Sequence, residues 1–217
     1  MISKLQYISQ GSTPEAHLEN IQRACTSGIE WVQLRLKHHD EQTVLDTAKK
    51  AREITSHFQT RLIINDYYHV AATIKADGVH LGKSDTCPVK ARKSLASWQI
   101  IGGTANTLED CQALIDKKVD YIGLGPFRFT KTKSNLSPVL GSNGYLTILE
   151  ALNTETPIIA IGGITQDDIQ DIMTTGVHGI AVSGEITKNF NSILKFKALI
   201  HGGPTQEQRW EPGENKT

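Results

Sequence analysis

Residues 158–164 read Ile158-Ile159-Ala160-Ile161-Gly162-Gly163-Ile164, and residues 179–184 read Gly179-Ile180-Ala181-Val182-Ser183-Gly184. Both are short runs of mostly β-branched apolar residues that end at glycine and lead into a helical segment. An apolar run without polar alternation is the mark of a strand buried on both faces, as in parallel sheets. Glycine at the carboxyl end of such a strand lets backbone N–H groups approach an anion, and the next helix turns its positive end toward the same point. Two such ends in succession match the phosphate site formed after strands 7 and 8 of a (β/α)8 barrel.

The same rhythm extends back to the amino terminus. Strands are predicted at 5–9, 31–36, 62–65, 78–82, 99–103, 121–125, 158–162 and 179–183. Helices are predicted near 15–27, 41–57, 67–75, 88–95, 107–117, 143–153, 166–174 and 189–200. Ser12 or Thr13 and Thr107 suit helix N-caps, and Gly28 and Gly176 stand where a helix commonly ends. Eight strands alternating with eight helices fit a closed α/β barrel of the TIM type better than an open sheet. Residues 1–200 are therefore expected to form one (β/α)8 domain. Residues 201–217, rich in Gly, Pro and Glu, are expected to be a flexible tail without a chemical role. The polar segment 126–142 is too long for an ordinary turn and suits a lid.

Composition narrows the function. Lys+Arg and Asp+Glu number 23 each, so nothing favours wholesale nucleic-acid or membrane-surface binding. No apolar run is long enough to span a membrane. Cys25, Cys87 and Cys111 are widely spaced and form no C-x-x-C pair, which suits a reducing compartment rather than a disulfide framework. A cytoplasmic location is expected. The first residues begin a strand and lack the apolar core of a signal peptide.

The strand ends carry the polar residues. In 32–37, Val32, Leu34 and Leu36 fall on one face and Gln33, Arg35 and Lys37 on the other. In a helix-wrapped barrel the apolar set must face the helices, which turns an amide and two cations into the mouth, where an anion would neutralise them. The lesser alternative is that Arg35 and Lys37 lie on a solvated edge strand or pair with structural carboxylates, but no adjacent strand position offers a clear excess of acid. Strand three ends at Asn65-Asp66, and Asp85 follows strand four; two carboxylates from neighbouring strand ends suit Mg2+. Taken alone, Asn65-Asp66 reads more readily as a helix-capping pair and Asp85 could equally cap the next helix; only their falling at the same barrel end as Arg35 favours a metal. Strand five ends near Thr104, and Thr130, Thr132 and Lys133 lie on the loop after strand six, where hydroxyls and ammonium groups suit phosphate. His80 and His178 read as packing residues, as do Trp31 and Trp98.

Together these pieces resemble thiamine-phosphate synthase. The likeness rests on Gln33-Leu34-Arg35-Leu36-Lys37, Ile64-Asn65-Asp66, the run 76–82 with Asp85, the run 120–126 with Thr130-Lys131-Thr132-Lys133, Ile161-Gly162-Gly163-Ile164 and Val182-Ser183. It covers roughly residues 5–190. It implies a barrel that joins 4-amino-2-methyl-5-(diphosphomethyl)pyrimidine to 4-methyl-5-(2-phosphoethyl)thiazole or its carboxylated form, yielding thiamine phosphate and pyrophosphate. By position, Gln33, Arg35, Lys37, Asn65, Thr104 and Lys133 would hold the pyrimidine diphosphate, with Arg35, Thr104 and Lys133 nearest the chemistry. Asp66 and Asp85 would bind Mg2+. Thr130, Thr132, Gly162, Val182 and Ser183 would hold the thiazole phosphate. The intervening Leu34, Leu36, Lys131 and Gly163 are carried as substrate-binding with their motifs, although alternation turns the two leucines toward the helices. The partners implied are these small molecules, with a homo-oligomer left open.

The sequence departs from the family at Leu36, where glutamate is frequent, at Lys83, where glutamine is, and at Tyr67 after Asp66. A sister family of thiazole tautomerases has the same barrel but relies on a histidine where Asn106 stands here. A phosphate-binding barrel without catalysis is the third reading; the presence of Asp66 and Lys133 argues against it.

Overall fold

The computed structural model describes residues 2–129 and 138–202. Its first half runs β1 Leu5–Ile8, α1 Pro14–Thr26, β2 Trp31–Leu34, α2 Glu41–His57, β3 Arg61–Asn65, α3 Tyr68–Thr73, β4 Gly78–Leu81 and α4 Pro88–Arg92. The second half runs β5 Ile100–Ala105, α5 Leu108–Asp116, β6 Tyr121–Leu124, α6 Gly141–Ala151, β7 Ile158–Ile161, α7 Ile169–Thr174, β8 Gly179–Val182, α8 Gly184–Lys188 and α9 Ser192–Ile200. A single 3-10 turn, Gln166–Asp168, precedes α7. Each strand pairs in parallel with the next, and β8 returns to β1, closing the TIM barrel that the alternation predicts.

Alternation along each strand divides the apolar residues into two layers. Tyr7, Val32, Leu34, Ile64, Val79, Ile122 and Ile180 point outward and pack with the helices. Trp31, Ile63, Tyr121, Ile159 and Ala181 form a separate cluster inside the barrel. There Trp31 and Tyr121 meet edge to face with ring centroids 4.9 Å apart, a favoured aromatic geometry. Gly102 is what admits Tyr121: a Cβ at that position would lie 2.1 Å from the ring.

Local signals explain the element ends. Thr13 accepts from Ala16 N at 3.2 Å and Thr107 from Asp110 N at 3.2 Å, each satisfying an otherwise orphaned N-terminal amide. Gly28 and Gly176 end helices at φ +86° and +90°. At the barrel's amino end, Asp77 accepts from Leu62 N and pairs with Arg52, while Asp120 accepts from Ile101 N and pairs with Arg92. These carboxylates tie α2 and α4 to the sheet.

The structure moves several boundaries. β2 stops at Leu34 because Arg35 N donates to Ser9 Oγ at 3.1 Å instead of to a strand carbonyl. β5 continues to Ala105 because β6 goes on pairing with it as far as Leu124. The short helix α8 directly after β8 has no counterpart among the predicted helices. Trp98 is 54% exposed and does not pack as expected, whereas Trp31 is buried. Residues 130–137 of the proposed lid and the tail from 203 onward lie outside the described residues. Among the described residues no helix is long and apolar enough to cross a membrane.

Candidate active site at the carboxyl rim of the barrel

The carboxyl ends of the strands open into a cavity of about 1230 Å³, above the roughly 300–1,000 Å³ of a typical single-ligand site. There is room for two ligands. Gln33, Arg35, Lys37, Asn65, Asp66, Asp85, Thr104, Gly162, Gly163, Val182 and Ser183 all line it. Leu34 and Leu36 do not: their side chains are buried in the outer core, because the alternation that turns Arg35 inward turns them toward the helices. They are removed from the side chains expected to meet substrate. Thr130, Lys131, Thr132 and Lys133 lie outside the described residues.

On one side of the mouth stand cations and carboxylates. Arg35 is largely buried, and burial holds its guanidinium below the ordinary range while nearby Asp66 acts the other way. Among the described residues it forms no ion pair at contact distance. Lys37 does pair with Asp66, the alternative that the residues alone had left open. Asp66 leaves β3 with φ +66°, a left-handed conformation uncommon for a residue with a side chain. Its amide donates to His80 O at 2.8 Å, which fixes that turn. The turn brings the Asp66 carboxyl against Asp85. Burial, then the hydrogen bond shared with Asp85, push Asp66 up to about 6, against the pull of Lys37. Burial also works against ionising Asp85, but Asp66, the Gly82 amide at 2.6 Å and Lys37 together hold it below the usual range.

Two adjacent carboxylates of which one resists ionisation mark a place where a divalent cation would relieve repulsion. The pair fits Mg2+ in chemistry. Among the described residues no cluster of three or more His, Cys, Asp or Glu side chains could ligate a metal, so two carboxylates would need oxygens from substrate and water to complete a shell.

Across the mouth, Gly162 and Gly163 end β7 at φ +94° and +72°, conformations that favour glycine. They also pass close to the chain after β6: a Cβ on Gly162 would lie 2.7 Å from Pro126 Cβ. Ser183 ends β8, and its hydroxyl is buried with no hydrogen-bond partner. Exposed backbone, an unpaired hydroxyl and the start of α8 converge where an anion would be welcome.

The floor holds residues that the sequence reading missed. His80 lines the cavity, with Nδ1 3.0 Å from the Tyr121 hydroxyl and Nε2 2.9 Å from Thr104 Oγ1. Gln6 of β1 and Tyr121 line it too. A polar residue within the apolar run Leu5-Gln6-Tyr7-Ile8 was the available signal. Asn106 also reaches the cavity, but its amide nitrogen is committed to the Gly125 carbonyl. Lys83 pairs with Asp110 at 2.7 Å, and the Tyr67 hydroxyl donates to His39 O, so both departures from the expected pattern are anchored at the edge.

Comparison with known proteins agrees with this geometry. A family profile described as thiamine monophosphate synthase matches residues 5–186. A thiamine-phosphate synthase of Flavobacterium johnsoniae is 49% identical over 202 residues, 92% of this chain and 95% of that protein. One from Bacteroides thetaiotaomicron is 43% identical over 205 residues, 90% of this chain and 98% of that protein. Among solved structures, thiamine phosphate pyrophosphorylase from Pyrococcus furiosus superposes with a TM-score of 0.77 at 27% identity, covering 92% of this chain and 97% of that one.

Proposed function

This chain belongs to the thiamine monophosphate synthase family and is a transferase, and from that premise we propose how its barrel mouth carries out thiamine phosphate synthesis. The pyrimidine diphosphate lies over β2, β3 and β5, held by Gln33, Arg35, Lys37, Asn65 and Thr104. Thiazole phosphate sits over β7 and β8, with its phosphate at Gly162, Gly163, Val182 and Ser183. Thr130, Lys131, Thr132 and Lys133 are assigned to phosphate oxygens by the family likeness. Asp66 and Asp85 would hold Mg2+, which when bound would supply charge neutralisation to the leaving pyrophosphate.

The reaction needs no general base. The C–O bond of the diphosphomethyl group breaks with both electrons leaving on pyrophosphate, and the electron-rich aminopyrimidine carries the positive charge left on carbon. The thiazole nitrogen lone pair then forms the new C–N bond. Arg35 and Lys37 stabilise charge that grows on pyrophosphate, a gain largest in the transition state. The barrel holds both substrates in line and limits water, which would otherwise compete for the carbon.

The observation that carries this reading is the convergence of Arg35, Lys37 and the Asp66–Asp85 pair on one side of a two-ligand cavity. Asn106, with its amide nitrogen already donated to Gly125 O, offers no proton shuttle for an isomerase. Incubation of the purified protein with both phosphorylated substrates and Mg2+ is expected to release thiamine phosphate and pyrophosphate in equal amounts. Consumption of thiazole phosphate without pyrophosphate release would overturn the reading.

A further inference from the structure

Arg35 stands one residue beyond the end of β2, past the last backbone bond of that ladder, in which Ser9 N donates to Gln33 O at 2.9 Å. Ser9 continues the pairing with its side chain: Oγ accepts from Arg35 N at 3.1 Å. The hydroxyl is then left with its own proton and a second lone pair to place. His17 of α1 meets that need, with Nδ1 2.8 Å from Ser9 Oγ. Both side chains are buried, and the chain at Gly11 closes tightly over the imidazole: a Cβ there would lie 2.9 Å from His17 Cδ2. A buried hydroxyl held by two partners has one orientation, and here that orientation serves the Arg35 amide.

Neither Ser9 nor His17 is among the described residues that line the cavity, whereas Arg35 is. Anything the pair does for the reaction therefore passes through Arg35. The Arg35 guanidinium has no contact ion pair among the described residues to fix its place. Its direction follows from its backbone and from the packing of its stem. Misplacing a charge-stabilising group by about 1 Å can cost on the order of a hundredfold in rate.

We propose that Ser9 and His17 are positioning residues for the transfer reaction: together they fix the Arg35 backbone, and with it the approach of the guanidinium to the leaving diphosphate. The inference rests on the reading of Arg35 as a diphosphate ligand. It extends the machinery of the mouth to a buried pair on β1 and α1 that never meets substrate.

The test is a double-mutant cycle read by steady-state kinetics with the pyrimidine diphosphate varied. Ser9→Ala removes the acceptor of the Arg35 amide, and His17→Leu removes the group that orients it. Each is made in wild type and in Arg35→Ala. In wild type each is expected to lower kcat/KM by about three- to tenfold, with KM for thiazole phosphate unchanged. In Arg35→Ala each is expected to cost less than about twofold, because the group being positioned is gone. His17→Asn, which keeps a polar atom near the place of Nδ1, is expected to retain most of the wild-type kcat/KM. A merely structural pair would instead cost the same in both backgrounds. If both variants keep the wild-type kcat/KM, or lose as much in Arg35→Ala as in wild type, the inference falls and the function, measured on wild type, stands. A wild type that releases no pyrophosphate from the two substrates overturns both.

Discussion

Arg35 is the residue whose environment demands most explanation: a largely buried guanidinium at a barrel mouth, without an ion pair among the described residues. Arg35→Ala is expected to lower kcat/KM on the order of ten- to a hundredfold, with the loss concentrated in the pyrimidine diphosphate. Steady-state kinetics with each substrate varied in turn checks this; a larger effect on thiazole phosphate would mean the two ends of the cavity are reversed. His17 gives a pH signature. It is buried beside Ser9, whose hydroxyl accepts from Arg35 N and lies 2.8 Å from His17 Nδ1. Burial holds the His17 imidazole below its usual 6.5. The unfolded chain therefore binds a proton near that pH that the native chain refuses, and stability falls as pH drops below about 6.5. His17→Gln is expected to narrow the gap in Tm between pH 7.5 and pH 5.5, measured by calorimetry. At this scale the legible part was alternation, which placed Gln33, Arg35 and Lys37 inward from 32–37 without any structure. Gln6, His80 and Tyr121 escaped because a lone polar residue in a strand looks the same whether it faces a ligand or a satisfied core.

Among the elements, strand ends and their helices were legible wherever a cap or a glycine punctuated them, as at Thr13, Thr107, Gly28 and Gly176. The short α8 was not, because five residues are too few to display a helical period. Nor was the early end of β2, which a side-chain acceptor decides from a distant stretch of chain. Contacts between elements yield two expectations. Asp77→Ala removes the acceptor of Leu62 N–H and the partner of Arg52. The variant is expected to lose about 1–3 kcal/mol of stability in denaturant unfolding while KM for both substrates stays put, since these contacts lie at the opposite end of the barrel. Gly102→Ala should be worse for function than its size suggests. The added methyl would displace Tyr121 from β6 and with it His80. A loss of about 1–3 kcal/mol is expected, together with a fall in kcat/KM that a stability-matched surface variant does not share.

For the whole molecule, the count of alternating elements was enough to name the barrel, because eight strands wrapped on one side by helices have few other ways to bury both faces. The place of the site followed from the same topology, since every βα loop opens at one rim. What sequence left unresolved there was the state of the carboxylates, which depends on the left-handed turn at Asp66 and on its contact with Asp85. Chelation by EDTA is expected to stop pyrophosphate release, and excess Mg2+ to restore it. Turnover that is indifferent to chelator would remove the metal from the assignment of these two residues. The ring is sealed by its first and last strands, with Leu5, Gln6 and Tyr7 lying against Ile180, Ala181 and Val182. During synthesis, then, the earliest strand waits with a bare edge until the last of the eight strands has left the ribosome, and the newest strand is bare as well. A chain halted after β7 would carry two open edges and no ring, and it is expected to recruit other chains into aggregates where the finished protein stays apart.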